Sequence, residues 1–393
     1  MDEQQISSGG ISYRYGQPHA RWVAWTLTLC HIDTIPTLKP KTRVFYVLTW
    51  PYPRNKTPNI GWCLIMSRKL VYPFLCVSLL LFASSCTSEK ASQDIKSITI
   101  GRLPIEAHLL FFIAQDQNYF SKNGLTVNLK NYETGGAVKG LFSGEVDIAF
   151  TGEFAAVQNA FERSDFRILS CVDKYQYVYM AVRKDCGIVT PSDLKNRKIG
   201  VTLGINSQFF LGRFLELNRI ALNDVQVVAL QASQYVDAIG NRDIDAVIYM
   251  RPYYEKIRDK LGDNGLYWSV QSTRPLFSVL IAKSEWIASH TDEITRLLKS
   301  LVASERYLAK NHEQAKFILQ KCLKLDASYV ESIWPDNSFG LSLDISLIAS
   351  MEDEARWIIN SNLTTSKQVP DFNEYIYEDV LKQIQPEAVN IIR

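Results

Sequence analysis

Ser143-Gly-Glu-Val-Asp-Ile-Ala-Phe-Thr151 is echoed 98 positions later by Asn241-Arg-Asp-Ile-Asp-Ala-Val-Ile-Tyr249. Each copy runs through polar or small turn residues, an acid, a β-branched residue, an Asp (Asp147, Asp245), three apolar residues and a side chain that can hydrogen-bond. An unbroken apolar run entered through a polar turn suits a strand buried on both faces of a parallel sheet. Helix-like segments precede both copies (137–142 and 235–240), so each reads as the end of a βαβ unit. Ligands of open α/β sheets sit at the carboxyl ends of the strands. That rule sets Thr151-Gly152-Glu153 and Tyr249-Met250-Arg251 on two facing rims.

Working outward from the first copy, segments of strand and helix character alternate from Ser97 to Arg183. The strands are expected at 97–101, 125–129, 166–172 and 177–183. Thr190-Pro-Ser-Asp-Leu starts a short helix with an N-cap and a first-turn Pro. A second α/β set follows, with strands at 198–203 and 225–230 and helices at 208–218 and 233–240. Leu276 to Ala282 reads as a strand rejoining the first sheet. From Ser284 onward the chain reads as helical, with apolar residues at i, i+3, i+4 and i+7 over Thr291 to Lys310 and Glu313 to Leu323. The fold class is therefore α/β with two lobes, each a doubly wound sheet flanked by helices, and a helical C-terminal segment. Lobe one is expected at 97–182 plus 276–393 and lobe two at 183–275, with crossovers near Arg183 and Arg274. Such a layout binds a small ligand between lobes and closes about a hinge.

The chain has 393 residues, 47% apolar and 21% charged, which is enough for two cores. A net charge of +2 gives no overall field for nucleic acid or an anionic surface. Residues 1–65 carry four tryptophans among scattered prolines and threonines with no sustained periodicity, and read as unstructured or as an upstream extension. Met66-Ser-Arg-Lys-Leu then opens a basic segment, an apolar run from Leu70 to Phe82, and the small-residue stretch Ala83-Ser-Ser-Cys86. The run is shorter than the ~20 residues that span a bilayer, so it suits an export signal better than an internal transmembrane helix, the alternative. Residues 66–86 resemble a bacterial lipoprotein signal, with Ala83 where Leu is usual. The resemblance implies lipidation at Cys86 and attachment to the membrane. Residues 87–96 are polar and small, as a tether should be. After Cys86 only Cys171, Cys186 and Cys322 remain, with no CxxC spacing for a disulfide framework or a metal knuckle.

The runs Ser143-Gly-Glu-Val-Asp-Ile-Ala, Ser192-Asp-Leu-Lys-Asn-Arg-Lys-Ile-Gly-Val201 and Ala238-Ile-Gly-Asn-Arg-Asp-Ile-Asp-Ala246 resemble the solute-binding proteins of ABC importers. The branch is the sulfonate, taurine and thiamine-pyrimidine group, often called SsuA/TauA or NMT1/THI5-like. The similarity runs from about Ile98 to the C-terminus, where Val369-Pro-Asp-Phe and Gln385-Pro-Glu-Ala-Val also match the family's ending. It implies a periplasmic-binding-protein type II fold and one bound small molecule, sulfonate- or pyrimidine-like. It also implies delivery to a permease with its ATPase. The protein is then an exported monomer with no cofactor and no catalytic residues.

Several loops carry candidate ligand contacts. Gly152 lets a ligand approach the backbone and Thr151 offers a hydroxyl at a helix start. In Gly204-Ile-Asn-Ser207, Asn206 and Ser207 sit where a helix begins, either as ligand contacts or as N-caps. The family touches its ligand in this loop, and also after the first strand, where Ile105, Glu106 and His108 lie. Arg251 would pair a sulfonate or carboxylate bidentately, whereas Glu106 and Glu153 favour a cationic or amine-bearing ligand. Tyr177, alternating with Tyr175 and Tyr179, either flanks a ring or packs on a sheet face, and Tyr249 ends the second echoed strand. Catalysis finds little support: HExxH, GxSxG and the P-loop spacing are absent, and Gly135-Gly-Ala-Val-Lys-Gly140 is glycine-rich without that spacing. The enzymatic alternative is a THI5-like pyrimidine-synthesis enzyme on the same fold. Its clustered-cysteine motif has no counterpart here.

Overall fold

The computed structural model describes residues 94–250, 253–271 and 274–391. The expectations for residues 1–65, the signal at 66–86 with Cys86, and Arg251 lie outside the described residues.

Two sheets form. The strands in chain order are β1 (Lys96–Arg102), β2 (Leu125–Asn131), β3 (Ile148–Gly152), β4 (Phe166–Tyr175), β5 (Tyr179–Arg183), β6 (Lys198–Val201), β7 (Gln226–Ala229), β8 (Ala246–Tyr249), β9 (Gly265–Ser269), β10 (Leu276–Lys283) and β11 (Asn337–Ser342). The first sheet has the order β11-β4-β10-β3-β1-β2 and the second β7-β6-β8-β5-β9. In the first, β1 runs parallel to β2 and β3, while β10 is antiparallel to β3 and β4. In the second, β6 is parallel to β7 and β8, and β5 is antiparallel to β8 and β9. Both sheets are thus mixed, not wholly parallel, because a strand returning from the other lobe enters each one next to its echoed strand.

The echoed stretches have one structural job. Asp147 Oδ2 accepts from the Thr99 amide at 2.7 Å while the Asp147 amide donates to the Thr99 carbonyl at 2.9 Å. In the second lobe Asp245 Oδ2 accepts from the Lys198 amide at 2.9 Å while its own amide donates to the Lys198 carbonyl at 2.8 Å. Each Asp thereby ties the entrance of its strand to the neighbouring parallel strand, at Thr99 within β1 and at Lys198, the first residue of β6. The apolar residues that follow, Ile148-Ala149-Phe150 and Ala246-Val247-Ile248, are buried on both faces.

The lobe boundary differs from the sequence expectation at one crossing. Tyr179–Arg183 pairs with β8 and β9, so the first crossing lies before Tyr179, not after Val182. Tyr175, Tyr177 and Tyr179 alternate whether or not the backbone is paired, because an extended chain keeps its period of two. The chain therefore left no periodicity break at Gln176–Val178. Gln271 joins the two crossings: its Nε2 donates to the Tyr175 carbonyl at 2.7 Å and its Oε1 accepts from the Val178 amide at 3.0 Å. A buried amide with both ends satisfied by backbone from the other crossing fixes the two segments side by side.

The seam between lobes is apolar with a polar edge. Phe209, on helix Asn206–Leu217 of the second lobe, packs against Phe154 (centroids 5.9 Å) and edge-on against Trp357 (5.6 Å) of the first. A Cβ on Gly212 would come within 2.2 Å of Trp357, so the helix approaches that ring only because Gly212 lacks one. Arg274 lies over Phe209 at 5.0 Å and pairs with Asp353.

Candidate functional site

A cavity of about 180 Å³ opens between the two sheets at the carboxyl ends of β1, β2, β3, β6, β7 and β8. Of the residues singled out in the sequence, Ile105, Thr151, Gly152, Tyr177, Asn206, Ser207 and Tyr249 line it. Thr151 and Gly152 come from the end of β3, Tyr249 from the end of β8, and Asn206 and Ser207 from the first turn of helix Asn206–Leu217. That helix begins two residues earlier than its apolar periodicity suggests, because Asn206 and Ser207 are buried in it. Neither acts as its cap. Ser207 Oγ donates to the Thr202 carbonyl at 3.0 Å, and Asn206 Nδ2 donates across the lobes to Glu153 Oε2 at 2.9 Å. A Cβ on Gly152 would lie 2.2 Å from Asn206 Oδ1, so the close approach of the lobes requires glycine there.

Four candidates do not line the cavity. Glu106 and His108 lie in the short 3₁₀ turn after β1 and face the interior, 3% and 0% exposed. The His108 ring stacks on Phe150 at 3.6 Å. Burial, aided by the nearby Arg102 charge, lowers its pKa well below the ordinary value, so it packs as a neutral ring. Glu153 is fully buried and accepts from the Phe277 amide at 3.0 Å as well as from Asn206. Burial pushes its pKa up to about 7 against the opposing effects of those two donors and of Arg274. Glu354, also fully buried, stands beside it, and burial together with Glu153 raises that carboxyl well above its usual range. These acids belong to the packing of the first lobe and of the seam, not to the cavity wall. Gly204 adopts φ +78° and its amide donates to Gln208 Oε1 at 2.8 Å, so it shapes the turn instead of lining the cavity.

Sequence reasoning missed Phe150, Tyr235, Tyr253 and the loop Glu133-Thr134-Gly135, and it set Met250 on a rim and Tyr175 in the alternating run without counting either as a contact; all of these line the cavity. Apart from Phe150 and Tyr175, these follow β2, β7 and β8. The carboxyl-end rule applied to every parallel strand, and not only to the conspicuous ones, reaches them. Tyr175 and Tyr177 stack at 4.3 Å and 20°, forming the wall where the chain crosses between lobes. Among the described lining residues the only formally charged side chain is Glu133.

Residues 106–315 match the model of the family described as NMT1/THI5 like. A Brucella abortus (strain 2308) protein whose description names it a binding protein is 26% identical over 227 residues, 56% of this chain and 69% of the relative. Among solved structures, the periplasmic aliphatic sulphonate binding protein SsuA from Escherichia coli superposes with a TM-score of 0.59 at 18% identity, covering 72% of this chain and 98% of that one. The desulfurization enzyme DSZB shares the fold as well, with a TM-score of 0.54 at 15% identity, covering 74% and 99%.

Proposed function

The chain belongs to the NMT1/THI5-like family, and from that premise we propose that it is an extracytoplasmic solute-binding protein of an ABC importer, which captures one small molecule between its lobes and passes it to a permease. The observation that carries this reading is the shared cavity, to which Thr151 and Gly152 contribute from one lobe and Asn206, Ser207 and Tyr249 from the other. A ligand touching both lobes favours the closed arrangement by its differential affinity for it. The basic, apolar and small-residue order from Arg68 to Cys86 supports export and lipid attachment, with a monomer tethered by residues 87–96. Among the described residues no helix is long and apolar enough to cross a membrane.

Of the two ligand classes expected from the sequence, the described lining supports a compact or ring-bearing body with hydrogen-bonding groups over a sulfonate. It has aromatic walls, and no Lys or Arg stands among its described residues. A thermal-shift screen against pyrimidines, sulfonates and nitrate, followed by calorimetry, tests the reading. Alanine at Thr151 and at Asn206 should each weaken binding about five- to 150-fold, the ~1 to 3 kcal/mol of a lost buried partner. Loss confined to variants of one lobe would replace the cleft by a one-lobe site. Arg251→Ala should abolish binding of an anionic ligand and leave an uncharged one almost unaffected.

The DSZB likeness raises an enzymatic reading on the same fold. Cys171, Cys186 and Cys322 all lie away from the cavity lining, and burial pushes the Cys171 and Cys186 thiols up to about 12 and about 11. None is a ready thiolate nucleophile. Binding without turnover of the ligand found in the screen, followed by chromatography of the recovered molecule, is the expected result.

A further inference from the structure

We propose that the solute is an organic cation, a compact ammonium-bearing molecule without an acidic group, held against the tyrosine wall of the interlobe cavity. This rests on the solute-binding reading and names the class of solute.

Three observations at different depths agree on the sign of charge. At the walls, Phe150, Tyr175, Tyr177, Tyr235, Tyr249 and Tyr253 surround the cavity. Aromatic faces attract ammonium groups through the ring quadrupole, more strongly when water is excluded. At the mouth, the one charged side chain among the described lining residues is an acid: Glu133 of the first lobe, which interacts electrostatically with Tyr253 of the second. Behind the wall, Tyr177 hydrogen-bonds with Glu106, and the fully buried Asp173 lies close to Glu106 and to both stacked tyrosines.

Among the described residues, the cations of the neighbourhood are engaged elsewhere. Lys174, next to Asp173 on β4, extends its ammonium to Asp344 at 2.5 Å. Arg102 lies over Phe112 at 5.0 Å, and Arg274 pairs with Asp353 at the seam. His108 is neutral. The groups facing Asp173 are Glu106 from the turn after β1, Cys171, Tyr175 and Tyr177 from the strand and crossing, and the Ser338 and Lys174 backbones. Burial and Glu106 raise the Asp173 carboxyl well above its usual range, so it retains a proton in the absence of a positive partner. A cation seated on the adjacent tyrosines stabilises the ionised form. Binding is then coupled to proton release, and affinity rises with pH.

A pair of probes that differ only in charge tests this on the exported, processed protein. Choline and its uncharged isostere 3,3-dimethylbutan-1-ol are compared by calorimetry, with ethanesulfonate as the anionic member and a neutral aminopyrimidine as the ring-bearing one. Choline should bind at least ~10-fold more tightly than the isostere, at the scale of one cation–π contact. Its binding heat should vary with the ionisation enthalpy of the buffer in the sense of proton release. Asp173→Asn should remove that proton release even where affinity changes little. Equal affinity for choline and its isostere, or preference for ethanesulfonate or the neutral pyrimidine, overturns the cation and leaves the solute-binding reading in place. Failure of every probe and of the wider screen overturns both.

Discussion

Gly152 and Asn206 meet across the seam between the two lobes, and this contact is decided by one missing methyl group. The Gly152→Ala Cβ would collide with Asn206 Oδ1 at 2.2 Å, and Asn206 is held in place by its bond to Glu153. Gly152→Ala should therefore destabilise the protein by about 1 to 3 kcal/mol. In an Asn206→Ala background most of that cost should disappear, a non-additivity that urea denaturation of the four species measures. Glu153 and Glu354 make a second residue-level prediction. Both carboxyls bind protons more tightly in the folded protein than in the unfolded chain, Glu153 titrating at about 7. The folded state thus holds the extra protons, and their stabilisation is complete below the ordinary carboxyl range and is lost as pH rises through about 7. Stability should fall between pH 5 and 8, and Glu354→Gln should flatten the fall; a stability that rises over this range would contradict the pairing. In the sequence Glu153 was visible as a polar residue at a rim. Its inward direction was not, because one residue's register in a helix start decides whether the side chain meets ligand or core.

At the scale of strands and helices, the echo of Asp147 and Asp245 is a device for joining parallel neighbours. Each carboxylate accepts a backbone amide of the neighbouring parallel strand, Thr99 within β1 and Lys198 at the start of β6. Asp147→Ala and Asp245→Ala should each cost ~1 to 3 kcal/mol, and Asn at either place, which keeps an acceptor, should cost less. Urea midpoints at constant slope are the measurement, and an Asn variant as unstable as the Ala one would refute the assigned role. The strands themselves were legible because an apolar run behind a polar turn has few alternatives. The tyrosine alternation at 175–179 does not mark the crossing, because extended backbone gives the same pattern on either side of it.

For the whole molecule, Gln271 holds the two crossings side by side, since it bonds to backbone of the opposite crossing at both ends. Gln271→Ala should speed hydrogen exchange at the Val178 amide and weaken ligand binding, with both sheets retaining their protection. Unchanged exchange at Val178 would show that the bond carries no constraint. From the sequence alone it follows that the chain is α/β, that its two halves repeat one strand arrangement, and that the loops after β3 and β8 and the start of helix Asn206–Leu217 stand at the carboxyl ends of strands. Those features are local: periodicity, turn chemistry and the rule that ligands sit at carboxyl ends act within a few residues. The tertiary structure alone decided which strand crosses at Tyr179 and that Glu106, His108 and Glu153 turn inward while Tyr175, Tyr235 and Tyr253 face the cavity. It also decided that Gly152 yields its space to Asn206. Each of these is set by residues tens of positions apart meeting in the fold, and no spacing within a single segment encodes which side chains will meet there.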